Sequence, residues 1–129
     1  MDWLVKSDPD DYSFQDLARD KKTWWSGVAN PTAVKNLASM KKGDRIVVYH
    51  TGSERSVVGL ATVVSGPKPD PDNPKSVLVE LAAGAWAKEP KTLDQIKANP
   101  LFADSPLVKI GRLSVVPLTE AQYKLLARN

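Results

Sequence analysis

Residues 45–65 read Arg-Ile-Val-Val-Tyr-His-Thr-Gly-Ser-Glu-Arg-Ser-Val-Val-Gly-Leu-Ala-Thr-Val-Val-Ser. Arg45–His50 is β-branched and aromatic, and Val57–Ser65 is a long apolar run broken by Gly59, so each is a strand. Thr51-Gly52-Ser53-Glu54 supplies the turn that makes them a hairpin. Outward from this pair, Trp3–Ser7 is a short strand stopped by Asp8-Pro9-Asp10-Asp11, and Ser76–Ala82 is another. Leu107–Val116 reads as one or two further strands around Gly111. Pro67–Pro74, with four prolines, reads as a stiff loop.

The helices announce themselves by their caps. Ser13 with Asp16 resembles a capping box that opens a helix running to about Asp20, with Phe14 and Leu17 as its apolar pair. Asn30-Pro31 combines an N-cap residue with proline at the first helical position. Ala33, Leu37 and Met40 then form one apolar stripe, which Lys41-Lys42-Gly43 terminates. Thr92 with Gln95, and Thr119 with Gln122, open two more helices, carrying Leu93 and Ile96 and then Leu125 and Leu126. Strand and helix do not alternate regularly, which disfavours a doubly wound parallel sheet. The expected fold is α+β: a mainly antiparallel sheet curled into a β-barrel with short peripheral helices.

A chain of 129 residues fits one domain, residues 1–129. It has no cysteine, which removes disulfides, thiolate nucleophiles and cysteine-ligated zinc. His50 is its only histidine, so no site can be built on two. No stretch approaches the ~18 apolar residues of a membrane span, and no signal peptide is visible. The net charge is +3, unevenly spread: residues 1–20 carry six acids and two bases, the remainder nine acids and sixteen bases. A basic body permits a polyanionic partner, although so small an excess steers weakly. The four tryptophans among nine aromatic residues are the sharper feature, and Trp24 and Trp25 are adjacent. Adjacent residues on an extended segment face opposite sides, so Trp24 is assigned to the core and Trp25 to a cleft.

Several residues bear chemistry. Lys6-Ser7, ending the first strand, is either an edge lysine with a turn serine or a pair within reach of a phosphate. Trp25-Ser26-Gly27-Val28 precedes the helix start at Asn30, bringing together an indole, a hydroxyl, backbone amides and a helix terminus. That set suits a flat polar heterocycle, or else a core tryptophan followed by a cap. Tyr49-His50 ends the third strand, and His50 is either structural or a donor or base toward a ligand. Arg112 and Ser114 alternate onto one strand face that either meets water or lines a cleft. Asp70-Pro71-Asp72-Asn73 lacks the glycine and the later glutamate of a calcium loop, so no metal is expected.

Taken in order, these segments resemble the EVE domain, a PUA-like family, over nearly the whole chain. Trp3-Leu4-Val5-Lys6-Ser7-Asp8-Pro9 is similar to a W-L-x-K-S-E-P start, and Trp25-Ser26-Gly27-Val28-Ala29-Asn30 to W-D-G-V-R-N. Met40-Lys41-Lys42-Gly43-Asp44, Tyr49-His50, Val58-Gly59, Pro69-Asp70-Pro71 and Arg112-Leu113-Ser114-Val115 follow in the family's order. The resemblance implies a PUA-like barrel with a pocket for a modified nucleobase, as in the related YTH and SRA domains. YTH domains share a K-S near the first strand and a W-S before a helix, matched here by Lys6-Ser7 and Trp25-Ser26. The chain departs from the family where it carries Ser26 for aspartate and Ala29 and Val34 for arginines, which takes two cations away from this edge.

The reading is of a non-catalytic binder of modified cytosine or adenine in DNA or RNA, single-stranded or already distorted. Trp25 stacks on the base, and Ser26 with the Gly27–Val28 backbone bonds its edge. Lys6 and Ser7 approach the rim or sugar-phosphate, and Asn30 caps the helix. Tyr49, His50, Arg112 and Ser114 complete the wall. The expected protein is a cytoplasmic bacterial monomer with no cofactor, metal or membrane partner. Two alternatives stand beside this: an ASCH-like hydrolase of RNA or modified nucleosides using Lys6 and His50, and a binder of a free nucleotide-like small molecule.

Overall fold

A computed structural model describes residues 1–127. Its elements run β1 (Asp2–Ser7), α1 (Phe14–Asp20), β2 (Lys22–Trp25), α2 (Pro31–Ala38), β3 (Arg45–His50), β4 (Ser56–Asp70) and β5 (Asn73–Trp86). They continue with α3 (Leu93–Ala98), a 3-10 turn (Pro100–Phe102), α4 (Pro106–Lys109), β6 (Val115–Leu118) and α5 (Glu120–Leu126). All six strands join one sheet in the order β2-β5-β4-β3-β1-β6. Every pairing is antiparallel except β1 with β3. The expected α+β class with a mainly antiparallel sheet is therefore what forms.

The sheet curls without closing. β2 and β6 are its two edges, and α2 packs against both β5 and β6, standing between the ends. Asn36 Nδ2 donates to the Val115 carbonyl at 2.8 Å, fixing α2 to the β6 edge, and Ser76 Oγ on β5 donates to the Val28 carbonyl at 2.7 Å. β1 and β3 lie inside the sheet and are buried almost throughout, so their sequences read as continuous apolar runs rather than alternating ones. Phe14 and Leu17 of α1, and Ala33 and Leu37 of α2, close the core from outside. Gly59 marks where a helix meets the sheet most closely: a Cβ there would lie 2.4 Å from the Phe14 ring. The N-caps predicted for α1, α2, α3 and α5 are present, but α2 ends earlier than expected, at Ala38 with Ser39 as its C-cap, so Met40 and Lys41-Lys42-Gly43 follow the helix instead of closing it.

Two further expectations fail. Pro67–Pro74 is not a loop: Lys68 and Pro69 pair with Leu78 and Val77, extending β4 and β5 into a long arm that turns at Pro71-Asp72. Register irregularities between Ser65 and Lys68 and between Pro69 and Asp70 absorb prolines that cannot donate to the ladder. Leu107–Val116 is not strand throughout. Ser105 caps Pro106–Lys109 as a helix, and strand begins only at Val115. The cap followed by proline overrides the apolar run after it. No helix among the described residues is long and apolar enough to cross a membrane.

Candidate functional site

The curl brings opposite ends of the sheet to one place. The end of β1 supplies Lys6 and Ser7, edge strand β2 supplies Thr23, Trp24 and Trp25, and Ser114 lies just before β6. With Asp8, Asp11 and Tyr12 from the β1–α1 loop and Ser26, Gly27 and Val28 after β2, they line a cleft of about 350 Å³. That is the lower end of the size of small-ligand sites, suited to a single heterocycle rather than a large cofactor.

Aromatic rings set the shape of the cleft. The Tyr12 and Trp25 rings meet edge to face, with centroids 6.3 Å apart and planes at 85°. The Tyr12 hydroxyl donates to Asp20 Oδ2 at 2.8 Å, and burial foremost holds its pKa above the ordinary phenol value. Trp25 is only 6% exposed, so it belongs to the core while also walling the cleft. Trp24 is half-buried, and Lys68 of the β4 arm sits 3.9 Å from its ring centroid. The expected division between the two tryptophans is thus corrected. Trp25 is the more buried ring, because its face of β2 turns toward the core.

The polar edge follows directly after Trp25. Gly27 adopts φ +77° with open space where a side chain would be, so backbone conformation rather than crowding calls for glycine. Ser26 and Gly27 are exposed, and among the described residues no hydrogen bond engages the Ser26 hydroxyl or their amides. Asn30 does not line the cleft. Its side chain accepts from the Thr32 and Ala33 amides at 2.9 and 3.1 Å and caps α2, as expected.

Of the eleven residues singled out from the sequence, Lys6, Ser7, Trp25, Ser26, Gly27, Val28 and Ser114 are brought together here, whereas Tyr49, His50 and Arg112 are not. The parallel register sets Lys6 beside Tyr49 and Ser7 beside His50. Ser7 Oγ donates to the Tyr12 carbonyl, and His50 Nε2 accepts the Phe14 amide at 2.9 Å. Together they clasp the loop that carries Asp8, Asp11 and Tyr12. His50 is 5% exposed and its other nitrogen, Nδ1, faces Glu54 Oε2 at 2.5 Å, so both ring nitrogens are engaged. Tyr49 is buried, and Lys6 Nζ lies 5.7 Å from its ring. Arg112 is exposed on a turn after α4 instead of facing the same way as Ser114 on a strand. Asp8, Asp11, Tyr12, Thr23 and Trp24 line the cleft without having been singled out for it. The approach of β2 to Tyr12 carries no local sequence signal.

Electrostatically the cleft is mixed. Lys6 donates to the Gly111 carbonyl at 2.9 Å, and its amine is held below the ordinary lysine pKa by burial. Asp8 and Asp11 stand exposed at the rim. Among the described residues, no group of three or more His, Asp or Glu side chains is placed to hold a metal ion.

The mixed α+β architecture, a six-stranded, mainly antiparallel sheet with short helices, is that of a PUA-like domain. Within that class the chain belongs to the EVE domain family, whose model matches residues 2–129. Solved structures agree. Rpa0253 from Rhodopseudomonas palustris is 36% identical, with a TM-score of 0.91 over 98% of this chain and 90% of that one. Atu2648 from Agrobacterium tumefaciens is 33% identical, with a TM-score of 0.92 over 98% and 90%. Human THYN1, in complex with DNA containing 5-methylcytosine, is 26% identical, with a TM-score of 0.89 over 98% and 95%. No curated protein matches the chain.

Proposed function

We propose that this protein is a non-catalytic reader that holds a modified base of DNA or RNA in the Tyr12–Trp25 cleft. The carrying observation is the juxtaposition of two aromatic walls at a right angle with the unengaged hydroxyl and amides of Ser26-Gly27. A planar base lies against the rings, and its polar edge meets these groups. The carboxylates of Asp8 and Asp11 suit a base with an exocyclic amine, a donor that cytosine and adenine both carry. They stand in for the aspartate that this chain replaces with Ser26. Ser7 and Ser114 complete the wall, and Lys6 lies at the rim toward the sugar-phosphate. The complex of human THYN1 with 5-methylcytosine DNA supports the same direction. Engagement of both nitrogens of His50 away from the cleft favours binding over acid–base turnover. The bacterial source of close structural relatives supports a bacterial setting, where we take the protein to act as a cytoplasmic monomer.

The test is an affinity screen of short single strands carrying different modified bases, with unmodified strands as controls. At least one modification is expected to bind more tightly than its control, and Tyr12→Ala to weaken that complex about tenfold, within the ~1–3 kcal/mol that a base–aromatic stack supplies. Equal affinity for every modified and unmodified strand refutes the reading. Trp25 is probed by Trp25→Phe rather than by alanine, because truncating so buried a ring removes ~3–5 kcal/mol of packing and confounds binding with folding.

A further inference from the structure

The cleft that walls the base is poorly charged to hold a polyanion, since Lys6 is offset there by Asp8 and Asp11. The arginines that its edge lacks, at Ala29 and Val34, deepen that deficit. A second cleft, of about 240 Å³, adjoins it and shares Lys6. Lys6, Arg55 and Lys97 surround it, Tyr49, Leu93 and Leu107 are in its floor, and no carboxylate lines it. Arg55 and Lys97 are exposed. Among the described residues neither is in an ion pair, the contact of Arg55 being a 3.3 Å bond from Nε to the Gly52 carbonyl. Acids do stand nearby. Glu54 is turned to His50, and Asp94 lines an adjoining recess that shares Arg55 and Leu93 with this cleft. Three cations around an apolar floor, beside a cleft sized for one heterocycle, match the chemistry of a nucleotide's neighbour: a phosphodiester on the cations and a sugar on the floor.

We propose that this second cleft binds the phosphodiester next to the held base, with Lys6 as the hinge between the two sites and Arg55 and Lys97 as the phosphate contacts. The inference rests on the base-reading proposal and makes the preferred partner a strand rather than a free nucleoside. Cations lost from the α2 edge are thereby supplied from the β3–β4 turn and α3.

The test compares wild type with an Arg55→Gln/Lys97→Gln variant, using short single-stranded DNA with and without one 5-methylcytosine across a salt series. Each lost phosphate contact is expected to flatten the plot of log affinity against log salt by ~0.7, so the double variant by roughly 1.4. Arg55→Lys/Lys97→Arg should retain the wild-type slope. Lys42→Gln/Lys124→Gln, which removes two exposed cations toward the opposite, Asp2–Arg45 end of β1 and β3, should retain it too. The proposal is overturned by an unchanged slope in the Arg55/Lys97 variant, by an equal drop in the Lys42/Lys124 variant, or by no strand binding at all. The two readings fail separately. A flattened slope without preference for any modified base, here or in the wider screen, upholds the phosphate cleft and removes the base reader. A surviving preference with an unchanged slope does the reverse.

Discussion

Replacing His50 by alanine separates a structural histidine from a working one. In the fold its Nε2 accepts the amide of Phe14, the first residue of α1, and the ring is 5% exposed. Alanine leaves that buried N–H without a partner, at about 1–3 kcal/mol. It also opens a void where the imidazole packed, at roughly 2 kcal/mol or more. The sum, about 3–5 kcal/mol, corresponds in a chain of this size to a fall in Tm of roughly 10–20 °C. His50→Gln carries an acceptor to a similar depth and should recover part of the loss, about 1–2 kcal/mol. The assay is thermal unfolding followed by circular dichroism, with strand binding measured well below each midpoint. His50→Gln should bind a modified strand like wild type, because His50 stands outside the cleft. Wild-type stability in His50→Ala refutes the structural assignment. So does a fully stable His50→Gln that no longer binds, and any turnover of RNA or modified nucleosides that disappears with the ring would restore the hydrolase reading.

Three further expectations can be checked by similar means. Gly59→Ala drives a methyl to within 2.4–2.5 Å of three Phe14 ring atoms and should cost about 1–3 kcal/mol in denaturant unfolding. Phe14→Leu in that background should restore part of it, and strict additivity of the two changes would contradict the clash. Lys6→Met removes an amine whose charged form burial disfavours, so Tm should rise while strand affinity falls; a lower Tm would mean that the bond to Gly111 dominates. Burial pushes the Asp44 carboxyl upward, but Trp3 Nε1–H, the Lys41 amide and the Met1 amino group outweigh it and hold its pKa below the ordinary 3.8. A depressed carboxylate contributes stability that is complete above 3.8 and is lost as pH falls through the lower, folded value. Asp44→Asn should therefore lower stability at neutral pH and flatten the stability profile below about pH 4, and an unchanged acid limb would count against it.

Features with a local physical cause were legible in the sequence. The caps at Ser13, Asn30, Thr92 and Thr119 are short-range hydrogen-bond patterns and all form. The Arg45–His50 and Val57–Ser65 strands pair as the turn between them implies. The Lys6-Ser7 and Trp25–Val28 segments meet in one cleft, as family resemblance implied and periodicity alone did not. What was not legible depends on distant partners. Pro69 sits in a strand because β5 reaches the end of the arm beside it, and α4 exists because Ser105-Pro106 outweighs the β propensity of the residues that follow. Tyr12, Asp8 and Asp11 enter the cleft because Ser7 and His50 clasp their loop, and His50 reads as a candidate ligand until Phe14 is seen beside it. Arg112 was placed by alternation along a strand that is in fact a turn.

The double duty of Trp25 bears on how such a domain changes its target. A ring buried in the core and walling the cleft at once cannot be truncated without a cost in packing, so it acts as a fixed platform. Asp8, Asp11 and Ser26 are exposed on two loops, where substitution costs little folding energy. Under the proposed base-reading function, exchanging a few loop side chains around this fixed ring redirects the domain from one base to another.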